Sequence, residues 1–236
     1  MNPVLIFRHS PTEGPGYFAE FLDRHRIPWK LVRIDAGDAV PEHLNGVAGV
    51  CLMGGPMSVN DELPWIPPVL ALIREAVAHD IPVIGHCLGG QLLSKALGGS
   101  VQANPVKEIG WGDLRVTDID AARPWVGDVH GPLPGFHWHG ETFSLPPGAV
   151  RILESAHCAN QAFVLGDRHL GMQCHVEMTP ELIASWCEHG ADEIAASAGP
   201  AVQAAAAIQA DLPARTARLH ALADKIYSRW IQGLRQ

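Results

Sequence analysis

The stretch that decides the fold is Pro82-Val83-Ile84-Gly85-His86-Cys87-Leu88-Gly89-Gly90-Gln91-Leu92-Leu93. Val83 and Ile84, entered through a proline, read as a buried parallel strand. Gln91 to Leu97 reads as a helix with Leu92 and Ala96 on one face, ended by Gly98-Gly99. Cys87 is thereby placed on a sharp strand-to-helix turn, where the glycines on either side leave room for a strained backbone. Its side chain projects from the sheet at a helix N-terminus, where partial positive charge suits an anionic sulfur. That is the setting of a cysteine nucleophile. Cys51, Cys158, Cys174 and Cys187 lack it and read as core or surface thiols.

Strands and helices alternate around this corner. Val4 to Phe7 reads as a strand, Tyr17 to His25 as a helix, and Trp29 to Ile34 as a strand. Val47 to Met53 is a second buried strand that ends at Gly54-Gly55-Pro56, and Pro67 to His79 is helical. Such alternation predicts an open, mostly parallel α/β sheet with helices on both faces. In such sheets ligands bind beyond the carboxyl ends of the strands, where Gly54-Gly55 and Cys87 both fall. Short strands around Leu114–Val116, Phe136–Trp138, Val150–Leu153 and Ala162–Leu165 predict a small antiparallel extension. Leu170 to His175 returns to the main sheet, and Thr179-Pro180-Glu181 opens a helix with threonine as its N-cap. Residues 191 to 212 are alanine-rich, and Arg215 to Leu234 forms an amphipathic helix. One domain is expected over residues 1–236, with its core in about 1–190 and a helical extension over about 191–236.

The composition is that of an ordinary globular chain: 236 residues, 47% hydrophobic and 18% charged. A net charge of −8 without a basic cluster argues against a nucleic-acid partner. No stretch reaches the ~20 apolar residues a membrane span needs, so no membrane partner is expected. An odd count of five cysteines and the absence of a signal sequence suit a reducing, cytoplasmic setting.

A cysteine nucleophile needs a base, and the base needs an orienter. His175-Val176-Glu177 supplies both, two residues apart, so that on an extended segment they project to one side. Acyl transfer also needs donors for the oxyanion. The amide of Leu88, placed by the corner, and that of Gly55, on a glycine turn at the same sheet edge, are the candidates.

Four motifs occur in order: Leu52-Met53-Gly54-Gly55-Pro56-Met57-Ser58, Gly85-His86-Cys87-Leu88-Gly89-Gly90-Gln91, Trp138-His139-Gly140-Glu141 and Gln173-Cys174-His175-Val176-Glu177. Together they resemble the class I (triad) glutamine amidotransferases, and within them the glutaminase domain of GMP synthase. The resemblance covers roughly residues 1 to 190. It implies a flavodoxin-like fold and a γ-glutamyl thioester on Cys87, with His175 as general base then acid and Glu177 as its orienter. It also implies that Gln91 and the backbone around Gly140 and Glu141 hold the amino-acid end of glutamine; Gly54 and Trp138 are read as further substrate-binding residues. The chain departs from many relatives at Met53, His86, Gly90 and Trp138; a bulky Trp138 would narrow the pocket, whereas Gly90 would open it. No synthetase domain or phosphate loop is visible, so released ammonia would pass to a separate synthetase subunit or to solvent. No cofactor is expected.

His137-Trp138-His139 admits a rival reading as metal ligands, with His130, His157 or His169 adding others. Without a companion carboxylate at suitable spacing, no metal is expected. The expected activity is hydrolysis of the γ-amide of glutamine or a related γ-glutamyl compound by a Cys87-His175-Glu177 triad. The alternatives are a γ-glutamyl peptidase or hydrolase acting on conjugates, and a partner-binding module without turnover.

Overall fold

The computed structural model describes residues 2–197 and 199–235. Its centre is one sheet of nine strands in the order β2-β1-β3-β4-β9-β8-β7-β5-β6. Five strands run parallel: β1 (Val4–Arg8), β2 (Trp29–Arg33), β3 (Gly49–Leu52), β4 (Val83–His86) and β9 (His169–Met172). The other four, β5 (Val101–Val116), β6 (Leu133–Phe143), β7 (Val150–Glu154) and β8 (Ala162–Leu165), form an antiparallel flank. This is the flavodoxin-like α/β architecture that the alternation of apolar runs predicts.

The pleat sorts the core into two halves. Val4, Ile6, Cys51 and Ile84 face one side, where they pack on α1 (Gly16–Arg24), α4 (Ile119–Val126), α5 (Pro180–His189) and α8 (Leu212–Ile231). Leu5, Phe7, Val50, Leu52 and Val83 face the other, against α2 (Ile66–Ala78) and α3 (Leu88–Ala96). Both faces of the parallel strands are covered, which is why those strands read as unbroken apolar runs. Thr179 caps α5 through its side chain, which accepts from the Leu182 amide, with Pro180 at the first helical position.

Several elements differ from the sequence reading. α3 begins at Leu88, directly after Cys87, rather than at Gln91. The short strand at Leu114–Val116 is the end of β5, sixteen residues long, which turns polar and carries Pro105 where local pattern would end a strand. Pairing with β6 sustains it, with a register shift between Ala103 and Glu108. α4 falls where no helix is expected, with Pro124 inside it and Asp118 as its N-cap. In the alanine-rich stretch, α6 (Ala191–Ala196) and α7 (Ala205–Ile208) are short. The tail closes with α8, whose stripe of Leu219, Leu222, Ile226, Tyr227 and Trp230 is buried on the same face as α1. No helix among the described residues is long and apolar enough to cross a membrane.

The parallel strands share one direction, so their carboxyl ends share one edge. The loop after β1, the Gly54-Gly55 turn after β3, Cys87 after β4 and residues 173–177 after β9 all emerge there.

Candidate active site

Cys87 is the N-cap of α3, with φ 51° and ψ −110°. That conformation is glycine's, and a cysteine holds it here because its surroundings leave no alternative. Its N–H donates to the Met172 carbonyl at 2.8 Å and its own carbonyl accepts from the Gln91 amide at 3.0 Å. A side chain on Gly85 would collide with the Gly89 backbone, one on Gly89 with Leu52, and one on Gly90 with Met172. The three glycines let strand, corner and helix close on one another. The thiol is 7% exposed and opens into a cavity of about 590 Å³. Gln173 Nε2 donates to its sulfur at 3.5 Å, and Gln173 Oε1 in turn accepts from Gln91 Nε2 at 3.1 Å.

His175 lines the same cavity. β9 ends at Met172, so His175 lies beyond the strand; its N–H is fixed by the Phe136 carbonyl of β6 at 2.8 Å. His175 Nδ1 donates to Glu177 Oε1 at 2.6 Å, and Glu177 Oε2 accepts from the Val176 amide at 2.9 Å. Burial alone would push the Glu177 carboxyl up, but the charge of His175 foremost, together with hydrogen bonds, holds it down to about 2. Burial works against charge on His175, yet Glu177 and the Cys87 sulfur outweigh it and hold the ring well above its usual value. With Nδ1 engaged, Nε2 is the nitrogen left for Cys87, and among the described residues nothing else engages it. Trp186 stands edge-on to the ring at 4.9 Å and screens it.

Gly55 lines the cavity, and a Cβ on it would stand 2.7 Å from Leu88 Cδ2, so the Gly55 turn packs against the Leu88 side chain. As the first residue of its helix, Leu88 has an N–H with no intrahelical partner. A sulfur and an imidazole oriented by a carboxylate thus share one void, with the Gly55 turn on its wall. That arrangement can form and break an acyl–sulfur bond.

A family model of class-I glutamine amidotransferases matches residues 19–194. The chain belongs to the class-I glutamine amidotransferase family. The glutamine amidotransferase-like protein YfeJ of Salmonella typhimurium is 32% identical over 196 residues, which cover 81% of this chain and 82% of YfeJ. A glutamine-hydrolyzing GMP synthase of Herminiimonas arsenicoxydans is 32% identical over 146 residues, 58% of this chain but 26% of the synthase. The chain therefore matches about a quarter of that longer enzyme. Among solved structures, a glutamine amidotransferase from Methylobacillus flagellatus is 48% identical, covers 100% of this chain and 96% of its own, and superposes with a TM-score of 0.97. A glutamine amidotransferase from Thermotoga maritima is 27% identical, with 98% of both chains covered and a TM-score of 0.87.

Gln91, Trp138, Gly140 and Glu141 all line the cavity. Glu141 Oε1 accepts from Ser58 Oγ at 3.1 Å. Trp138 is a wall rather than a plug: its Nε1 donates to Glu193 Oε2 at 2.9 Å, and Lys107 pairs with the other Glu193 oxygen at 2.6 Å. α6 thereby ties the helical extension to the mouth of the site.

Two expectations are corrected. Gly54 is buried and absent from the cavity wall, because the Glu13 carboxylate lies over it. Gly90 does not open the pocket, because it faces the Met172 backbone. His86, unusual beside the nucleophile, is fully buried beneath the site. Its Nε2 meets Tyr227 Oη of α8 at 3.0 Å, and burial keeps it neutral by lowering its pKa.

Glu13 is a cavity-lining residue that sequence reading missed. It lies on the loop after β1, faces the cavity, and is raised by burial to about 7 against the opposing pull of His175, with Glu177 adding to the rise. Only its place beyond a parallel strand's carboxyl end could have flagged it.

Glu108, His137 and His139 are the buried trio whose ligand atoms come within 4.8 Å of one another among the described residues. The carboxylate missing from the sequence reading is supplied by β5, where Glu108 pairs in register with His139. The donor set would suit a zinc-class ion. Protein groups already satisfy most of it: Glu108 accepts from Ser155 Oγ at 2.8 Å and Gln161 Nε2 at 2.8 Å, and faces His139 Nε2 at 3.1 Å. This buried polar network engages Glu108 and His139, whereas neither ring nitrogen of His137 has a hydrogen-bond partner among the described residues.

Proposed function

We propose that this chain is a cysteine amidase that cleaves a γ-glutamyl amide through a thioester on Cys87, with glutamine as the simplest substrate. The observation that carries this reading is the strained Cys87 corner opening into the cavity that His175, bonded to Glu177 at 2.6 Å, also lines. The sulfur attacks the γ-carbonyl carbon while its proton resides on His175. The carbonyl oxygen, now anionic, lies against the Gly55 and Leu88 amides, whose loss one at a time costs about 10²–10³ in rate in related chemistry. Collapse breaks the C–N bond as the nitrogen takes the His175 proton and leaves as ammonia. Water then attacks the thioester with His175 as base, which releases glutamate and restores the thiol. Glu177 stays ionised throughout and stabilises the imidazolium. Gln91 and the Gly140–Glu141 backbone hold the amino-acid end.

A second reading is favoured by the void itself. About 590 Å³ is in the range of sites for ligands larger than glutamine, which suits γ-glutamyl conjugates. The whole chain is read as one domain, acting in the cytoplasm, with any ammonia released to solvent or to a separate synthetase subunit. Incubation with glutamine, with γ-glutamyl dipeptides and with a glutamine-like diazoketone tests all of this. Glutamate release together with one covalent adduct on Cys87 supports the amidase. No turnover and no adduct on folded protein would sink it and leave a partner-binding module.

A further inference from the structure

Glu13 has no part in the triad, yet it reaches the cavity beside it. Its carboxylate lies over Gly54, at a spot where a Gly54 Cβ would also touch His175 Cε1 at 3.4 Å. Acid and imidazole therefore flank the same piece of backbone, next to the Gly55 amide. Among the described residues, no side chain or main-chain group donates a hydrogen bond to the Glu13 carboxylate. The donors nearby are engaged elsewhere: Trp186 Nε1 on the Thr12 carbonyl at 2.8 Å, Trp138 Nε1 and Lys107 on Glu193. A half-buried acceptor facing a substrate-sized void, with no protein donor of its own, is open to a hydrogen bond from what enters the void.

The amidase reading says what enters. Gln91 and Glu141 take the amino-acid end, so the group that meets His175 is the scissile nitrogen. Its N–H is the donor a γ-glutamyl amide offers there. We infer that Glu13 is the leaving-group residue of this site: its carboxylate accepts a hydrogen bond from the N–H of the scissile amide and turns that nitrogen's lone pair toward His175. The sulfur–carbon bond forms, the carbon–nitrogen bond breaks, and the nitrogen takes its new proton from His175. Glu13 neither gains nor loses one. The substrate class follows: primary and secondary amides that keep an N–H are preferred over esters and fully substituted amides. This rests on the amidase reading and adds the residue that selects the leaving group.

The test compares glutamine with the γ-methyl ester of glutamate, which has no N–H at the scissile bond. In Glu13→Ala the amide-to-ester ratio of kcat/KM falls about tenfold, and in Glu13→Gln, which keeps a weaker neutral acceptor, by less. The two charged groups that act on Glu13, His175 and Glu177, serve both substrates and cancel in the ratio. Burial places the Glu13 titration near 7, so the wild-type ratio rises as pH increases through about 7 and is flat in Glu13→Gln. Equal losses for both substrates, or no loss, overturn the inference while leaving the amidase intact. If the wild type turns over neither substrate, the amidase reading fails and carries this one with it. Should Glu13→Ala not fold, the pH dependence of the ratio in Glu13→Gln decides.

Discussion

Replacing Cys87 by glycine abolishes the chemistry and stabilises the protein relative to Cys87→Ala. Both variants delete the sulfur. Alanine keeps a Cβ in a backbone held at φ 51° and ψ −110°, whereas glycine adopts that conformation freely. The corner cannot relax around alanine, because it is tied at both ends to Met172 and Gln91 and walled by Gly85, Gly89 and Gly90. Strain of this kind costs about 1–3 kcal/mol, and the extra freedom of glycine in the unfolded chain returns about 0.5–1 kcal/mol. The difference leaves Cys87→Gly ahead by about 0–2.5 kcal/mol. For a chain of this size each kcal/mol moves the midpoint by about 2–4 °C. Thermal and urea melts of the two purified variants, read by circular dichroism, measure the gap. If Cys87→Gly melts at or below Cys87→Ala, the corner stores no strain and the reasoning is wrong.

Glu177→Gln removes the charge that holds His175 protonated and oriented, and turnover of glutamine drops by about 10²–10⁴ with the fold retained; wild-type kcat in that variant would show that Glu177 orients nothing. The same pair gives the protein an acid limit. Glu177 titrates at about 2 in the folded state against 4.5 ordinarily, so its contribution is complete above about 4.5 and is lost as pH falls toward about 2. His175, shifted upward, contributes fully below its usual value and loses that contribution as pH rises through its folded value. Urea midpoints followed from pH 5 down should therefore fall more steeply in wild type than in Glu177→Gln, and parallel curves would contradict the pairing. Gly90→Ala forces a Cβ into the Met172 backbone and destabilises by more than about 2 kcal/mol, whereas at Gly140 the nearest obstacle is the flexible Lys107 chain at 3.1 Å and alanine is tolerated; equal melting temperatures would mean the corner is looser than its contacts imply.

The parallel half of the fold was legible in the chain because its strands are buried on both faces. Val4–Phe7, Val50–Leu52 and Val83–Ile84 are apolar whatever their neighbours are, and the helices between them carry their own periodicity. The Cys87 corner was legible for a local reason as well: glycines at 85, 89 and 90 are what a tight strand-to-helix turn needs. His175 and Glu177 lie two residues apart, so their contact is almost a property of the dipeptide spacing.

What sequence could not supply is everything set by sheet order. β5 runs for sixteen residues only because β6 pairs with it, and that same pairing brings Glu108 to His139 across thirty-one positions of chain. Gly90 reads as extra room until the Met172 backbone is seen against it, and Gly54 reads as pocket wall until Glu13 covers it. Tyr227 reaches His86 from a helix 141 residues away. Periodicity and spacing report which face of an element is buried, but not which element it is buried against. In this protein the chain's local pattern specified a cysteine on a strained corner, and the packing of distant segments decided the shape and charge of the space it faces.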